Sequence, residues 1–316
     1  HRPIYGDAPD PLSRRLIDTP LYTGLRAIDG MTTLGRGQRI GIMAGAGVGK
    51  STLLGTIAQR SDADVNVIAL IGERGREVGE FIHRILSEEA RKRTVLVVAT
   101  SDQSPLDRVR GAFVATAIAE HFADSGKHVL LMMDSLTRFA MAQRELGLSM
   151  GEPPTTRGYT PSVFAQLPRL LERAGQFGSA GSITGVYSVL VEGDDPNDPI
   201  GDAARSILDG HISLSRALAS RGHYPAIDVL GSISRVMTDV VPAQSLEASR
   251  RFRGLISKVR EAEELLQIGA YVAGSDEELD RALQKRALVD EFLQDGRQGP
   301  TPPEQTVSLM TQIVES

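Results

Sequence analysis

The fold is decided by the stretch Arg39-Ile40-Gly41-Ile42-Met43-Ala44-Gly45-Ala46-Gly47-Val48-Gly49-Lys50-Ser51-Thr52-Leu53-Leu54. Its apolar first part predicts a buried strand, and the residues from Lys50 onward predict a helix. The glycines between them let successive backbone amides point into one concavity, and the positive end of the helix dipole adds to the same spot. This combination predicts a loop that holds the phosphates of a nucleotide.

Two side chains of the loop suit particular parts of a nucleoside triphosphate. We expect the Lys50 ammonium to contact the β- and γ-phosphates and the Ser51 hydroxyl to coordinate Mg²⁺. The usual pattern has glycine where this sequence has Ala44. A tight strand-to-helix turn without a ligand is the alternative, but the Lys-Ser pair favours nucleotide binding. The residues expected to contact the nucleotide are Gly45, Ala46, Gly47, Val48, Gly49, Lys50, Ser51 and Thr52.

The composition argues against several other kinds of protein. The 316 residues include 35 basic and 40 acidic side chains and no cysteine. Without cysteine there are no disulfides and no thiolate metal sites, and the net charge of -5 gives no electrostatic reason to expect a nucleic-acid partner. No apolar stretch approaches the roughly 20 residues that a membrane-spanning helix needs. We therefore expect a soluble, cytoplasmic protein.

Apolar runs alternate with helical patterns between residues 38 and 240, which is typical of a parallel sheet covered by helices. Beyond residue 240 the strand patterns stop. We therefore predict an α/β fold with an arm or linker over 1–18, a nucleotide-binding domain over 19–240 and a small all-helical domain over 241–316. The predicted strands are Arg39–Ala44, Val65–Ile71, Thr94–Ala99, His128–Met133, Ser182–Leu190 and His211–Ser213.

Capping patterns predict where several helices begin. Ser104 followed by Pro105 is typical of a helix start and precedes the fourth predicted strand. In the helical domain we expect two capping boxes, Ser275 with Glu278 and Thr301 with Glu304. The basic side chains expected on a solvated helix face are Arg250, Arg251, Arg253, Lys258 and Arg260.

Two carboxylates follow apolar strands at positions suited to phosphoryl transfer, which needs a magnesium ligand, a group that orients water, and cations. Asp134 is placed to hold Mg²⁺ through water, although an aspartate at a strand end is often a helix cap. Glu73 is placed to orient the attacking water. The alternative for Glu73 is a solvated ion-pair cluster with Arg74, Arg76 and Glu77, and the spacing leaves both open.

Nine segments, in order along the chain, resemble the ATPases of type III secretion systems, which are related to the catalytic subunits of rotary F-type and V-type ATPases. The resemblance implies a RecA-like P-loop NTPase core with a mostly parallel sheet, followed by the small helical domain. Members normally carry an N-terminal β-barrel that mediates ring assembly. None is visible here, so the sequence resembles a catalytic fragment, expected to be weakly active and monomeric or weakly associating. The segments are Pro20–Gly30, Ala44–Ser51, Gly72–Val78, Asp134–Arg138, Gly151–Pro154, Pro161–Phe164, Glu192–Asp195, Ile207–Ile212 and Gly222–Asp228.

The resemblance implies ATP and Mg²⁺ as ligands and assigns roles near the phosphates. By match to the family motifs, Lys50 and Ser51 bind phosphates and metal. Glu73 activates water, and Asp134 holds the metal through water. Alanine at position 44 is common in this family, so the departure from the usual loop pattern supports the resemblance.

Four further residues match family positions around the nucleotide. Arg74 and Arg138 match arginines that line the catalytic site. Arg235 matches an arginine that acts in trans, in the nucleotide site of a neighbouring subunit. Tyr224 matches a tyrosine that stacks on adenine, a role suited to a flat amphipathic ring. Without the resemblance, Arg235 would be interpreted as a surface residue, and Tyr224 equally well as a core residue.

The resemblance also implies partners and a location. We expect a homohexamer in the full-length protein, at the cytoplasmic face of the inner membrane. Its implied partners are central stalk and stator or regulator proteins, chaperone–effector complexes and the export gate. The implied work is to release chaperones, unfold substrates and deliver them for export. Ser87–Arg93 and Val97–Asp102 favour the injectisome branch over flagellar export. A rotary ATP synthase subunit and a hexameric RNA translocase are the less favoured alternatives.

Overall fold

An eight-stranded sheet dominates the computed structural model, which describes residues 2–177, 181–191, 195, 197–294 and 299–316. The strands are β1 (Pro20–Leu21), β2 (Leu34–Gly35), β3 (Arg39–Ala44), β4 (Val65–Ile71), β5 (Thr94–Ala99), β6 (His128–Asp134), β7 (Gly175–Gln176), β8 (Ser182–Leu190), β9 (Gly210–Leu214) and β10 (Ile227–Ser234). The order is β10-β9-β3-β8-β6-β4-β5, with β7 added beside β8. Only β7 and β10 run antiparallel to their neighbours in this sheet. Strands β1 and β2 form a separate antiparallel pair.

Helices follow most of the parallel strands, and helices alone follow β10 in the described part of the chain. Short 3-10 turns lie at Pro11–Ser13 and Thr156–Gly158, and a π-helical turn at Phe81–Ile85. None of the described helices is both long enough and apolar enough to span a bilayer. The helices are α1 (Arg26–Asp29), α2 (Lys50–Arg60), α3 (Gly75–Glu80), α4 (Glu88–Lys92), α5 (Pro105–Asp124), α6 (Leu136–Ser149), α7 (Pro161–Leu171), α8 (Pro199–Ile207), α9 (Arg216–Ser220), α10 (Met237–Val240), α11 (Ala243–Glu261), α12 (Glu263–Gln267), α13 (Glu277–Leu293) and α14 (Pro303–Glu315).

The sheet is buried on both faces, as its nearly continuous apolar strands predict. In β4, Ile68 and Leu70 belong to one core, which also contains Leu53 of α2 and residues of α11, α13 and α14. The alternate residues Val67 and Ala69 belong to a second core, built with α5, α6 and α7. This layering confirms the predicted α/β fold with a mostly parallel sheet and a helical C-terminal part.

The predicted strands lie where the sequence placed them, and Ser104 caps α5 by accepting a hydrogen bond from Asp107 N at 3.1 Å. The two predicted capping boxes are wrong. Asp276, not Ser275, caps α13, because its Oδ1 accepts from the amides of Glu278 and Leu279, each at 3.0 Å. Helix α14 begins at Pro303 without a side-chain cap.

Strand β10 was not predicted from the sequence. Among the described strands, β10 is the outermost strand on one side of the sheet and pairs with β9. The register of this pair shifts between Asp228 and Ile233. Polar residues and Gly231 interrupt its apolar pattern, so period-two alternation is weak. Because it is antiparallel to β9, β10 runs from the end of the sheet that carries the phosphate loop back to the opposite end.

The basic face predicted for α11 is only partly solvated. Arg253 is half-buried, and its Nη2 donates to Met31 O at 2.6 Å. Arg260 lies closer to solvent and pairs with Asp228 at 2.8 Å. These contacts fasten α11 to β10 and to the segment after α1, so the C-terminal helices are anchored on the nucleotide-binding fold.

Candidate active site

Four polar side chains lie at the carboxyl ends of the parallel strands, on the same side of the sheet. Lys50 follows β3, Glu73 follows β4, Asp134 ends β6, and Ser188 lies near the end of β8. Strands β3, β8, β6 and β4 are consecutive neighbours, so these side chains converge. Parallel pairing therefore assembles the site from residues that are far apart in the sequence.

Lys50 is held between two carboxylates. Its Nζ donates to Asp134 Oδ1 and lies 3.9 Å from Glu73 Oε1. Ser188 Oγ donates to the same Asp134 oxygen at 2.7 Å, and Asp134 is only 3% exposed. The aspartate is thus a buried hydrogen-bond acceptor oriented by a neighbouring strand. Ser188 was missed from the sequence because a serine inside an apolar strand carries no signal until its cross-strand neighbour is known.

The Glu73 side chain is only 17% exposed, and this burial changes its pKa. Burial raises the pKa of Glu73 to about 7, with a further contribution from the charge of Asp134, while the Lys50 ammonium opposes the change. A hydrogen bond with Glu73 lowers the pKa of Glu77, which keeps the negative charge of this pair on the more exposed partner. Glu73 therefore differs from the surface ion pairs around it.

The neighbouring charges form the exposed cluster that was the alternative for Glu73. Arg74 pairs with Glu77 at 3.1 Å, and Arg76 pairs with Glu80 at 2.6 Å. The Arg74 side chain is 73% exposed and directed to Glu77, so the structure does not bring it to Lys50. Its place in the catalytic site stays a prediction.

The phosphate loop has the backbone that its glycines predict. Gly47 and Gly49 have φ angles of 78° and 89°, a region that disfavours other residues. Val48 between them is 2% exposed and anchors the loop in the core. Helix α2 starts after Gly49 without a side-chain cap, so its first amides are available to an anion.

Of the other predicted residues, Tyr224 lies beside the phosphate loop and Arg138 beside the turn that leads to Glu73. A Cβ on Gly49 would come within 3.5 Å of the Tyr224 ring, which is 46% exposed. Gly72 has a φ of 72°, and a Cβ there would lie 2.8 Å from Arg138 Cβ, so the half-buried Arg138 packs directly under the turn that leads to Glu73. Tyr224 and Arg138 are thus placed at the rim of the site.

Arg235 lies at the other edge of the sheet. It follows β10, and its amide donates to Asp209 O at 2.9 Å, next to the start of β3 at Arg39. The five steps between the six residues of β3, at about 3.3 Å each, place this edge roughly 17 Å from the phosphate loop of the same chain. Arg235 therefore does not reach its own Lys50.

The arrangement suits Mg²⁺ held mainly by phosphates. Within the described ranges, no group of three or more histidine or acidic side chains could hold a metal alone. Mg²⁺ commonly binds one or two carboxylates together with substrate phosphates and water. Asp134 already accepts from a cation, the Lys50 ammonium, and Ser51 follows Lys50 in the first turn of α2. These residues fit the ion, and the fold and loop together define a P-loop ATPase.

Comparisons with known proteins agree with this class. The family model for the ATP synthase alpha/beta family, nucleotide-binding domain, matches residues 24–234, and the model for the T3SS EscN ATPase C-terminal domain matches residues 241–312. A type 3 secretion system ATPase of Xanthomonas euvesicatoria is 55% identical over 99% of this chain and 71% of its own length. A flagellum-specific ATP synthase of Bacillus subtilis is also 55% identical, over 96% of this chain and 69% of its own length.

Solved structures give the same result. The assembled ATPase EscN from the enteropathogenic E. coli type III secretion system is 52% identical and superposes with a TM-score of 0.94, covering 99% of this chain and 76% of EscN. EscN in complex with its central stalk EscO superposes with a TM-score of 0.92 at 50% identity, over 99% of this chain and 75% of that one. The chain belongs to the ATP synthase alpha/beta family and, within it, to the type III secretion and flagellar export ATPases.

Proposed function

We propose that this chain hydrolyses Mg-ATP to drive protein export by a type III secretion system, in the injectisome branch. The observation that carries the proposal is the convergence of Lys50, Glu73 and Asp134 under the phosphate loop. A lysine placed between two carboxylates, Asp134 and a Glu73 whose pKa is raised to about 7, matches the needs of phosphoryl transfer to water. Flagellar export is the alternative, and curated relatives of both kinds match at 55% identity.

Each residue has a part in the proposed reaction. The amides of Gly45 to Thr52 bind the phosphates, and Lys50 exchanges its contact with Asp134 for the β- and γ-phosphates. Ser51 and Asp134, the latter through water, would hold Mg²⁺, which would offset the negative charge of the phosphates. Glu73, once ionised, orients the attacking water and accepts its proton.

Three further residues contribute to the proposed reaction. Arg138, which packs under the turn before Glu73, supplies positive charge from the same chain, and Tyr224, beside Gly49 of the phosphate loop, supports the adenine. Arg235 acts in the nucleotide site of the next subunit, which requires a ring such as a homohexamer. Its distance from its own loop supports this role, because an arginine about 17 Å away cannot act in cis.

We place the proposed assembly at the cytoplasmic face of the inner membrane. There it would work with a central stalk, stator or regulator proteins, chaperone–effector complexes and the export gate. The complex of EscN with EscO is a precedent for stalk binding in a relative. Export of injectisome effectors, and not flagellar components, by a strain that depends on this protein would support the branch we favour; the opposite pattern would select the flagellar alternative.

The hydrolytic proposal is tested with two substitutions that separate binding from turnover. Lys50→Ala should weaken ATP binding and abolish phosphate release, because the phosphates lose their principal cation. Glu73→Gln should keep ATP binding but lower phosphate release by about 10²–10⁴-fold, the usual contribution of a general base. Retained turnover in Glu73→Gln would remove Glu73 from the mechanism.

Arg235→Ala tests the role in trans. In the wild-type protein, activity per subunit should rise steeply with protein concentration as subunits assemble. Arg235→Ala should lose most of that rise while ATP binding and assembly stay unchanged. An equally steep rise in Arg235→Ala would exclude Arg235 from the neighbouring site.

A further inference from the structure

The turn that carries Arg235 is fastened to the sheet edge at two points. Its amide donates to Asp209 O at 2.9 Å, and its guanidinium Nη2 donates to Arg205 O at 3.3 Å on α8. The side chain is exposed, and among the described residues this is the only hydrogen bond of the guanidinium. Its other N–H groups are therefore free to meet a group outside the chain.

Asp209, which accepts a hydrogen bond from the Arg235 amide, is itself held in place by Arg39. Its carboxylate accepts three hydrogen bonds from Arg39: from the backbone N at 3.0 Å, and from Nε and Nη2 at 3.1 Å each. Asp209 N in turn donates to Arg39 O at 2.8 Å. Burial opposes the charge of Arg39, but the hydrogen bonds and charges of Asp209 and Glu172 hold its pKa above the usual value. A bidentate pair of this kind sets geometry as well as energy.

A buried glutamine holds the same carbonyl from the other side. Gln38 is fully buried, and its Nε2 donates to Asp209 O at 3.1 Å and to Ser234 Oγ at 3.0 Å. Its Oε1 accepts from Gly35 N at 2.9 Å. Ser234 immediately precedes Arg235, so Gln38 connects Asp209 O and the residue before Arg235 to the start of β3.

We infer that Asp209 is a positioning residue for Arg235, setting the place from which this arginine enters the neighbouring subunit's site. The inference rests on the proposed role of Arg235 in trans. Asp209 itself lies at the edge away from the phosphate loop, so it touches no nucleotide of its own chain. Its effect on hydrolysis must pass through the Arg235 turn, where a displacement of about 1 Å can cost up to roughly 100-fold in rate.

The alternative is that the Arg39–Asp209 pair only stabilises the sheet edge. Glu172 provides the matched control, because it also pairs with Arg39 but, among the described residues, makes no hydrogen bond or ion pair with the Arg235 turn. Asp209→Asn and Glu172→Gln each remove one negative charge from the same guanidinium. A structural effect predicts similar losses of thermal stability and similar activities in the two variants.

The experiment measures four quantities for each variant of the assembled protein: the melting temperature, the Kd for ATP, the degree of assembly and kcat. We expect Asp209→Asn to lower kcat of the assembled form by about 10- to 100-fold without a matching change in ATP affinity or assembly. We expect Glu172→Gln to keep kcat within about twofold. Equal kcat in the two variants would overturn the inference.

The double variant Asp209→Asn/Arg235→Ala distinguishes failure of this inference from failure of the proposed function. If Asp209 acts through Arg235, the double variant should be no slower than Arg235→Ala alone. A further loss of the full Asp209→Asn factor would show that Asp209 acts by another route. If Arg235→Ala by itself leaves assembled activity intact, the proposed role in trans fails before Asp209 is tested.

Discussion

The role proposed for Glu73 predicts how ATP hydrolysis depends on pH. Burial, together with the charge of Asp134, raises the pKa of Glu73 from 4.5 to about 7, in spite of Lys50 at 3.9 Å. A protonated carboxyl cannot accept a proton from water, so only the ionised fraction supports catalysis. With this pKa the ionised fraction is about one tenth at pH 6 and about nine tenths at pH 8.

The rate at low ATP concentration, kcat/KM, should therefore rise about tenfold between pH 6 and pH 8 and level off above that range. An unperturbed glutamate, with a pKa near 4.3, would leave this range flat. The assay is phosphate release at constant ionic strength, with the Kd for ATP measured at each pH. Glu73→Gln should lower the rate and abolish the rise.

Glu80→Gln is the matched control. Glu80 ends α3, the helix that follows Glu73, but its side chain is 38% exposed and pairs with Arg76. We expect this variant to keep the wild-type rate and pH profile. A flat wild-type profile between pH 6 and pH 8 would contradict the raised pKa. An undiminished rise in Glu73→Gln would assign the titration to a different group.

Two other predictions concern binding and stability. Tyr224→Ala should weaken ATP binding by about 2- to 12-fold in a fluorescence titration, because an aromatic contact is worth about 0.5–1.5 kcal/mol. Tyr224→Phe keeps the ring and should bind ATP as the wild type does. Equal weakening in both variants would exclude stacking. Glu120→Gln should reduce the free energy of unfolding by about 3–5 kcal/mol in chemical denaturation, because Arg173, which is 0% exposed, loses the partner that binds it at 2.7 and 2.8 Å. Glu145→Gln, whose partner is Arg108 and whose side chain is 47% exposed, should cost less than about 1 kcal/mol; similar losses would refute the distinction.

The features that could be predicted from the sequence are those that depend on residues close together along the chain. The buried strands β3, β4 and β6 are continuous apolar runs, and the residues that end them, such as Glu73 and Asp134, must lie at one edge of a parallel sheet. Strand β10 could not be found in this way, because its polar residues and Gly231 conceal the period of two. Local patterns therefore predict the phosphate side of the site and the fold, but not the edge strand that carries Arg235.

The remaining features depend on partners distant in sequence. The Ser188 hydroxyl gains its role only when β8 lies beside β6, and Gln38 only when Asp209 and Ser234 reach the start of β3. For Glu73, spacing allowed either a surface cluster or a catalytic carboxylate. In the structure Arg76, Glu77 and Glu80 form the exposed cluster, while Glu73 is half-buried and lies 3.9 Å from Lys50. This placement favours the catalytic carboxylate, which stays a prediction.

Because β10 is antiparallel to β9, it places Arg235 at the end of the sheet opposite the phosphate loop. This direction bears on whether hydrolysis would need assembly. The chain passes the phosphate-loop edge at Tyr224 and reaches the opposite edge at Arg235 within one strand. One subunit thus offers a nucleotide site that lacks the Arg235 guanidinium and, at its other edge, an exposed arginine fastened to Asp209. If subunits repeat around a ring, each edge can supply what its neighbour's site lacks. Hydrolysis would then depend on assembly because of strand direction, without any change of fold on binding.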